Sequence, residues 1–163
     1  MIFKTNIENF QLIKEELIDK LINAPGSIFD QVQKTDWKMK IRNKPYFDFI
    51  KPHTIKHIKK LIYNLYDKNN NKINGIINNV WYQIYTETSQ HTWHTHPFTQ
   101  FANVLFVELS NKGDATEFID KKKIKVKEGD IITFPSWYLH RSPVIKSNNR
   151  KIVIAFNLDM ENK

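Results

Sequence analysis

The chain of 163 residues contains no cysteine. Disulfide bonds, iron–sulfur clusters and thiolate zinc sites are therefore excluded, and a bound metal would need His, Asp, Glu or water as ligands. No stretch approaches the 18 consecutive apolar residues of a transmembrane helix, and no apolar signal region stands at the N-terminus. We therefore expect a soluble, cytoplasmic protein with no membrane partner.

The charge is unbalanced toward the basic side, with a formal net charge of +8. A basic chain can bind nucleic acid, a membrane surface or an acidic partner. Here the lysines are scattered over the whole chain, and the one tight run is Lys121–Lys123, between two apolar segments. Such a run is typical of a solvated turn, so the sequence supports a nucleic-acid partner only weakly.

Two helices are predicted in the N-terminal part. Thr5 and Glu8 form a candidate capping box, and apolar residues then recur at helical spacing, which predicts a helix over residues 5–23. A second helix is predicted over 52–67, with a proline in its first turn. His53 and His57 lie four residues apart on this helix, and we interpret them as surface histidines because no zinc-protease motif accompanies them.

A half-exposed strand is predicted between the two helices, because Trp37, Met39 and Ile41 alternate with basic residues. From residue 73 onward, short β-type runs alternate with turn-like clusters, which favours an antiparallel sandwich or barrel. We expect a single domain over residues 1–163, mainly β, in which a helical buttress packs on the outside of a β core. The buttress comprises residues 1–72 and the core residues 73–163, with β-type runs at 76–77, 80–86, 101–109, 117–120, 124–126, 131–134, 138–144 and 152–157.

The segment Trp93–Pro97, reading Trp-His-Thr-His-Pro, carries the first chemical signal. In an extended segment, His94 and His96 point to the same side of the backbone because strand side chains repeat every second residue. Imidazole is the commonest protein ligand for first-row transition metals, so the pair predicts a metal site. The alternative is a polar loop before a proline.

Three further features follow in a fixed order: residues 113–118 (Gly-Asp-Ala-Thr-Glu-Phe), residues 128–140 (Glu-Gly-Asp-Ile-Ile-Thr-Phe-Pro-Ser-Trp-Tyr-Leu-His), and Arg150, ten residues after His140. Together with His94-x-His96-Pro, this ordered set resembles the Fe(II)/2-oxoglutarate-dependent oxygenases. It is most similar to small members with His-x-His-Pro near the start of the barrel. The resemblance covers about half of the chain, from Val80 to Asp159.

The resemblance implies a double-stranded β-helix, or cupin-like jelly-roll, with Fe(II) at its open mouth and 2-oxoglutarate as co-substrate. His94 and His140 match the two iron-binding histidines, and His96 falls where the family most often has a carboxylate. Arg150 matches the basic residue that pairs with the distal carboxylate of 2-oxoglutarate, which a guanidinium can hold with two parallel hydrogen bonds. The alternative for Arg150 is a surface arginine after an exposed loop.

The chain departs from the family's pattern at His96. The usual triad is two histidines and one carboxylate, so a third neutral imidazole would leave the iron about one more unit of positive charge. We expect the metal ligands His94, His96 and His140. The alternative is that His96 points away and that Asp114, Glu117 or water completes the set. His91 is out of phase with a strand and is interpreted as a loop residue beside the ligands.

A second departure is the absence of the tyrosines that relatives carry on the strand after His96. Asn103 and Thr133, with Gln100, are candidate polar replacements at the 2-oxoglutarate site. The leading hypothesis is thus an Fe(II)/2-oxoglutarate-dependent dioxygenase that hydroxylates a small or macromolecular substrate. The alternatives are a three-histidine metalloenzyme that does not use 2-oxoglutarate and a non-catalytic jelly-roll binding module.

Overall fold

The computed structural model describes residues 1–40, 42–66, 72–110, 115–120 and 124–162. Within these residues the chain forms two helices and ten strands. The helices are α1 (Gln11–Asn23) and α2 (Pro45–Leu65). The strands are β1 (Phe3–Asn6), β2 (Ser27–Phe29), β3 (Val32–Thr35), β4 (Ile73–Tyr85), β5 (His91–His94), β6 (Phe101–Glu108), β7 (Glu117–Phe118), β8 (Asp130–Pro135), β9 (His140–Ser142) and β10 (Lys151–Asn162).

The strands form two antiparallel sheets. The larger sheet has the order β1-β8-β6-β10-β4-β3-β2, and the smaller has the order β5-β9-β7. The long strand β10 lies at the centre of the larger sheet, where it pairs with β4 on one side and β6 on the other. The predicted fold class is confirmed: the protein has a mainly β, jelly-roll core with helices packed on it.

The larger sheet is buried on both faces. On β10, Ile152, Ile154 and Phe156 pack in one apolar cluster with residues of α1 and α2. The intervening residues point to the opposite face, because strand side chains alternate, and Val153 belongs to a second cluster that also includes Phe118 of the smaller sheet. A helix-facing side and an inner side are thus defined along every strand of the larger sheet, and the register decides which residues reach the inner side.

The N-terminal segment is not purely helical, which corrects the predicted division into a helical buttress and a β core. Strands β1, β2 and β3 all belong to the larger sheet. Thr5 and Glu8 form no capping box: the Thr5 hydroxyl contacts His57 Nδ1 at 2.7 Å, and Glu8 pairs with Lys56 at 3.0 Å. The first helix therefore begins only at Gln11, after Asn9 has adopted a positive φ of 53°.

Two other local predictions also need correction. The second helix begins at Pro45, seven residues before the predicted start, and Pro52 lies inside it. The strand predicted from the alternation around Trp37 lies earlier, at β3, and Trp37 instead packs edge-on against Trp81 at 4.3 Å. Residues 124–126 form no strand, and the predicted turn at 121–123 lies outside the described residues. Neither helix in the described part of the chain has the length and apolarity to cross a membrane.

His57 is buried rather than on the surface, with 2% of its area exposed. It belongs to a chain of hydrogen bonds between α2 and the helix-facing side of the larger sheet. Thr5 contacts His57 Nδ1, His57 Nε2 contacts the Thr133 hydroxyl at 2.7 Å, and Thr133 donates to Asn103 Oδ1 at 2.5 Å. Asn103 in turn donates to the Phe156 carbonyl at 3.1 Å. Burial lowers the pKa of His57 to about 4, so the ring is neutral at pH 7.

Replacing Thr133 with valine tests whether this network stabilises the fold. The variant leaves the His57 and Asn103 groups without their shared partner, and each unpaired buried group costs about 1–3 kcal/mol. We expect Thr133→Val to lower the free energy of unfolding by about 2 kcal/mol or more, measured by urea denaturation. Thr95→Val, at an exposed position, is the matched control and should change it by less than about 0.5 kcal/mol. Equal stabilities of the two variants would contradict the role of the network.

Candidate metal centre

Three histidines from different parts of the sequence converge on one point. His94 ends β5 and His140 opens β9, and the two are direct partners in the smaller sheet. His96 follows two residues after His94, and its backbone N–H donates to the Ser136 carbonyl at 2.9 Å. The ligand nitrogens of the three side chains all lie within 4.8 Å of one another. The structure therefore brings the three predicted ligands together.

The Nδ1 atom of each ring is held by an oxygen acceptor. His94 Nδ1 lies 2.7 Å from the Thr92 carbonyl, and His140 Nδ1 lies 2.8 Å from the Tyr138 carbonyl. A carbonyl only accepts, so the proton of each neutral ring is on Nδ1. His96 Nδ1 lies 2.9 Å from Asn157 Oδ1, which completes the pattern. Hydrogen bonds of this kind fix the tautomer of metal-binding histidines and leave Nε2 as the free ligand atom.

The distance between His96 Nε2 and His140 Nε2 is 3.2 Å. With both protons on Nδ1, the two Nε2 lone pairs face each other across this gap, an arrangement that a cation bound between them stabilises. Two imidazoles bound at right angles to one metal, each at about 2.1 Å, would have their nitrogens about 3.0 Å apart. The donor set therefore fits a divalent transition metal.

Burial keeps the three rings neutral. Desolvation, followed by the repulsion that a second protonated ring at His94 would cause, lowers the pKa of His140 to about 2 and that of His96 to about 4. Desolvation also lowers the pKa of His94. Because the neutral form is the metal-binding form of imidazole, the site is ready to bind a metal at pH 7.

Packing fixes the planes of the rings. Trp81 stacks on His96 with a centroid distance of 5.5 Å, and Phe134 meets His140 edge-on at 4.6 Å. His91 stacks on His94 at 3.9 Å, and the Gln83 amide lies 3.0 Å from His91 Nδ1. His91 thus lies on β5 directly against a ligand ring and lines the same cavity as the three ligands.

No carboxylate joins the cluster within the described residues. Glu117, one candidate for the missing acidic ligand, pairs with Arg141 at 2.7 Å. Asp114, the other candidate, lies outside the residues that the structure describes. The described donor set is therefore three neutral imidazoles.

Arg150 does not reach the cavity. Its guanidinium donates to both carboxylate oxygens of Glu108, at 2.6 and 3.3 Å. Arg150 precedes the inner-side residue Lys151 by one position, so it points to the other side of the strand. Its predicted role as the 2-oxoglutarate anchor has no support in these contacts.

Lys151 lines the cavity from β10, and Arg141, which pairs with Glu117, lines it from β9. Lys151 is 1% exposed, and its Nζ donates to the Ser142 hydroxyl at 2.8 Å and lies 5.2 Å from the centre of the Tyr85 ring. The cavity that it lines is bordered by all three histidines. Buried lysines are rare, and the contacts with Ser142 and Tyr85 are among those that hold the ammonium in the cavity wall.

Asn103 and Thr133 lie on the helix-facing side of the larger sheet, away from the cavity. Their predicted role at the co-substrate site therefore has no support in their contacts. They are direct partners in the β6–β8 pairing, and both belong to the buried network under α2. The inner-side residue of β6 at this level is Val104, which lines the cavity. Gln100 exchanges hydrogen bonds with the Met160 backbone and does not line the cavity.

The residues missed by the sequence analysis are polar inner-side residues of β4 and β10, namely Gln83, Lys151 and Asn157. One signal was available for Lys151, which opens the apolar run Ile152–Phe156. A lysine that opens a strand apolar on both faces is a candidate for burial, and a buried lysine is a candidate functional residue.

No family model matches the sequence, and no curated protein matches it. Solved structures do match. A collagen prolyl hydroxylase of Paramecium bursaria Chlorella virus-1, in complex with 2-oxoglutarate, is 18% identical with a TM-score of 0.65, over 96% of this chain and 95% of that chain. A 2-oxoglutarate–Fe(II) oxygenase family oxidoreductase from Burkholderia pseudomallei is 10% identical with a TM-score of 0.71, over 97% and 84%.

HygX from Streptomyces hygroscopicus, with nickel and 2-oxoglutarate bound, is 9% identical with a TM-score of 0.66, over 97% of this chain and 82% of that chain. The TM-scores establish a shared fold, and at identities this low they establish nothing beyond the fold. The similarity extends over nearly the whole chain, so it includes the N-terminal helices as well as the jelly-roll core.

Titration with Co²⁺ tests the ligand set. We expect His96→Ala to weaken binding by more than the 10- to 100-fold that is typical when only a hydrogen-bond partner of a ligand is lost. His96→Asp restores a ligand atom and should bind Co²⁺ more tightly than His96→Ala. His53→Ala, on α2, is the control and should bind like the wild type in isothermal titration calorimetry. Unchanged affinity in His96→Ala would mean that His96 is not a ligand.

The stability of the metal-free protein should depend on pH. Desolvation, with the neighbouring rings, lowers the pKa of His96 to about 4, of His140 to about 2 and of His91 to about 3. In the unfolded chain each histidine takes up a proton near pH 6.5, so stability is full above that pH and falls as the pH drops toward the folded-state values. We expect a loss of about 2 kcal/mol per histidine between pH 7 and pH 5. A urea midpoint that is flat or rises over this range would contradict the buried, neutral rings.

Proposed function

We propose that the protein is an Fe(II)- and 2-oxoglutarate-dependent oxygenase. The observation that carries the proposal is the convergence of one ring nitrogen from each of three histidines in a cavity that is also lined by a buried lysine. The histidines hold the iron, and the lysine binds the anionic co-substrate. The protein supplies orientation and a protected cavity, and the metal and co-substrate supply the difficult chemistry.

The structural neighbours support this choice of cofactors. The viral prolyl hydroxylase structure contains 2-oxoglutarate, and the HygX structure contains nickel and 2-oxoglutarate. Bound iron and 2-oxoglutarate would supply the coupling of keto-acid decarboxylation to oxygenation of a C–H bond. Neighbours include prolyl hydroxylases as well as an epimerase, SnoN, so the fold accommodates several substrates.

Lys151 takes the role that the sequence analysis assigned to Arg150. Its ammonium is pre-positioned by Ser142 and Tyr85, both of which belong to the cavity wall. A distal carboxylate of 2-oxoglutarate placed on Nζ would gain a charge-assisted hydrogen bond in a site shielded from water. The same ammonium would favour this dianion over neutral keto compounds.

The remaining walls separate the site from water and hold the ligands. Trp81, Val104, Val153 and Ala155 supply apolar surface. Asn157 contacts His96 Nδ1 and orients this metal ligand. Strand β10 thus contributes Asn157 to the support of the metal ligands and Lys151 to the co-substrate site. The three-histidine set leaves the metal its full positive charge, which strengthens its attraction for an anionic co-substrate.

The absence of a carboxylate from the described donor set also favours a second candidate function, a three-histidine metalloenzyme that does not use 2-oxoglutarate. In that case Lys151 would bind a carboxylate or another anion of the substrate itself. The two functions differ in whether a keto-acid binds to the metal-loaded protein.

A pair of neighbouring variants tests the proposal. Lys151→Met removes the inner-side charge at nearly constant volume, and Arg150→Met removes the adjacent outer-side charge. Removing one partner of a buried, hydrogen-bonded charge pair costs about 2–5 kcal/mol, so we expect Lys151→Met to weaken 2-oxoglutarate binding by at least about 30-fold. Arg150→Met should bind like the wild type. The readout is the visible charge-transfer absorption of the anaerobic Fe(II)–2-oxoglutarate complex.

The outcomes separate the two candidate functions. Loss of the absorption in Arg150→Met but not in Lys151→Met would show that the anchor is assigned to the wrong residue. No absorption in the wild type despite bound iron, and no iron-dependent formation of succinate, would rule out 2-oxoglutarate as co-substrate and favour the second candidate.

A further inference from the structure

Three cavities outside the metal centre meet along the edge strand β1. Their volumes are about 200, 620 and 420 Å³, and Thr5 and Asn6 line all three. The first two lie between β1 and α2, and the third lies between β1 and residues 125–130. The three cavities share these two lining residues along β1, and we call them together the β1 groove.

The β1 groove collects lysines from three distant segments of the chain. Within the described residues, six lysines and two carboxylates line it. Six of the lysines that appear scattered in the sequence are therefore brought together along β1 by the fold. They are Lys4 from β1, Lys56, Lys59 and Lys60 from α2, and Lys125 and Lys127 from the segment before β8.

The two carboxylates neutralise only part of the positive charge of the six lysines. Glu8 pairs with Lys56 at 3.0 Å, and Asp130 lies 3.5 Å from Lys4. Asp130 is also bonded by the Asn6 amide at 2.9 Å and is almost fully buried, so it presents little charge to the groove. A positive surface of this kind attracts a polyanion.

The groove also carries an aromatic side chain and uncharged polar groups. Lys56, Lys60 and Tyr63 share one face of α2 because they are three or four residues apart. Tyr63 is 55% exposed and lines the largest of the three cavities together with Lys59 and Asn64. Lysines that follow a backbone, with an aromatic ring on which a base can stack, are the usual elements of sites for single-stranded nucleic acid.

We propose that the β1 groove binds single-stranded nucleic acid. The lysines contact phosphates, Tyr63 stacks on a base, and the hydroxyl and amide groups of Thr5, Asn6 and Asn64 face sugars or base edges. The groove lies along β1 at the edge of the larger sheet, and none of its lining residues borders the cavity of the metal centre. Binding is therefore independent of the metal.

Fluorescence anisotropy with labelled 16-nucleotide single strands of DNA and RNA tests the proposal. The full chain is used in the presence of a chelator, so that the metal centre does not contribute. We expect Lys59→Glu/Lys60→Glu to weaken binding by at least about tenfold and to reduce the slope of log affinity against log salt by about 1.4, because each lost phosphate contact removes about 0.7 for a single strand. Lys40→Glu/Lys146→Glu changes the net charge equally at two exposed positions outside the groove and should bind within about twofold of the wild type.

Tyr63 provides a second test that does not depend on charge. Stacking of a base on an aromatic ring contributes to the binding free energy without contacting a phosphate. We therefore expect Tyr63→Ala to weaken binding by at least about fivefold and to leave the salt slope unchanged. Tyr63→Phe retains the ring and should bind like the wild type.

Three results would overturn the proposal. Equal weakening by the two lysine double variants would indicate a general charge effect rather than a site. Equal binding of a duplex and no effect of Tyr63→Ala would indicate a generic polyanion surface. Binding of phosphatidylserine vesicles that depends on Lys59 and Lys60, without binding of either oligonucleotide, would assign the groove to an anionic membrane surface.

Discussion

The alternation of side chains along β10 determines which of its residues line the cavity of the metal centre. This strand pairs with β4 and β6 over most of its length, so its register is fixed from both sides. Lys151, Val153 and Ala155 consequently face the cavity, whereas Ile152 and Ile154 face the helices. A shift by one residue would exchange the two sets, which would replace the ammonium in the cavity by an isoleucine.

The three histidines depend on this framework through their hydrogen-bond acceptors. Two of the acceptors are backbone carbonyls at positions 92 and 138, two residues before His94 and His140, and the third is the side chain of Asn157 on β10. Backbone acceptors are set by the course of the chain itself. Asn157 instead links the orientation of His96 to the central strand, so the larger sheet, and not only the smaller one, positions the metal ligands.

The mainly β class and the pair His94 and His96 were predictable from local patterns, namely alternation, turn residues and a short motif. The jelly-roll and the third histidine, His140, were implied by the resemblance of the ordered motifs to a known family. The sequence did not predict the side of the sheet on which Arg150, Asn103 and Thr133 lie. In strands that are apolar on both faces, polar and apolar residues do not alternate, so the sequence does not show which residues face the cavity. The spacing from His140 likewise cannot show which of the neighbours Arg150 and Lys151 faces it. The burial of His57 and the gathering of lysines at β1 arise from contacts between distant segments, such as β1 with β8, which no local pattern shows.

The central claim is that His94, His96 and His140 bind one metal through Nε2 in a cavity whose anion site is Lys151. An anomalous-difference map at the iron absorption edge, from crystals prepared anaerobically with Fe(II) and 2-oxoglutarate, tests it most directly. The account predicts one strong peak within bonding distance of the three Nε2 atoms, with a carboxylate of 2-oxoglutarate on Lys151 Nζ. A peak bound through a carboxylate in place of His96, or iron located away from the three histidines, would contradict it.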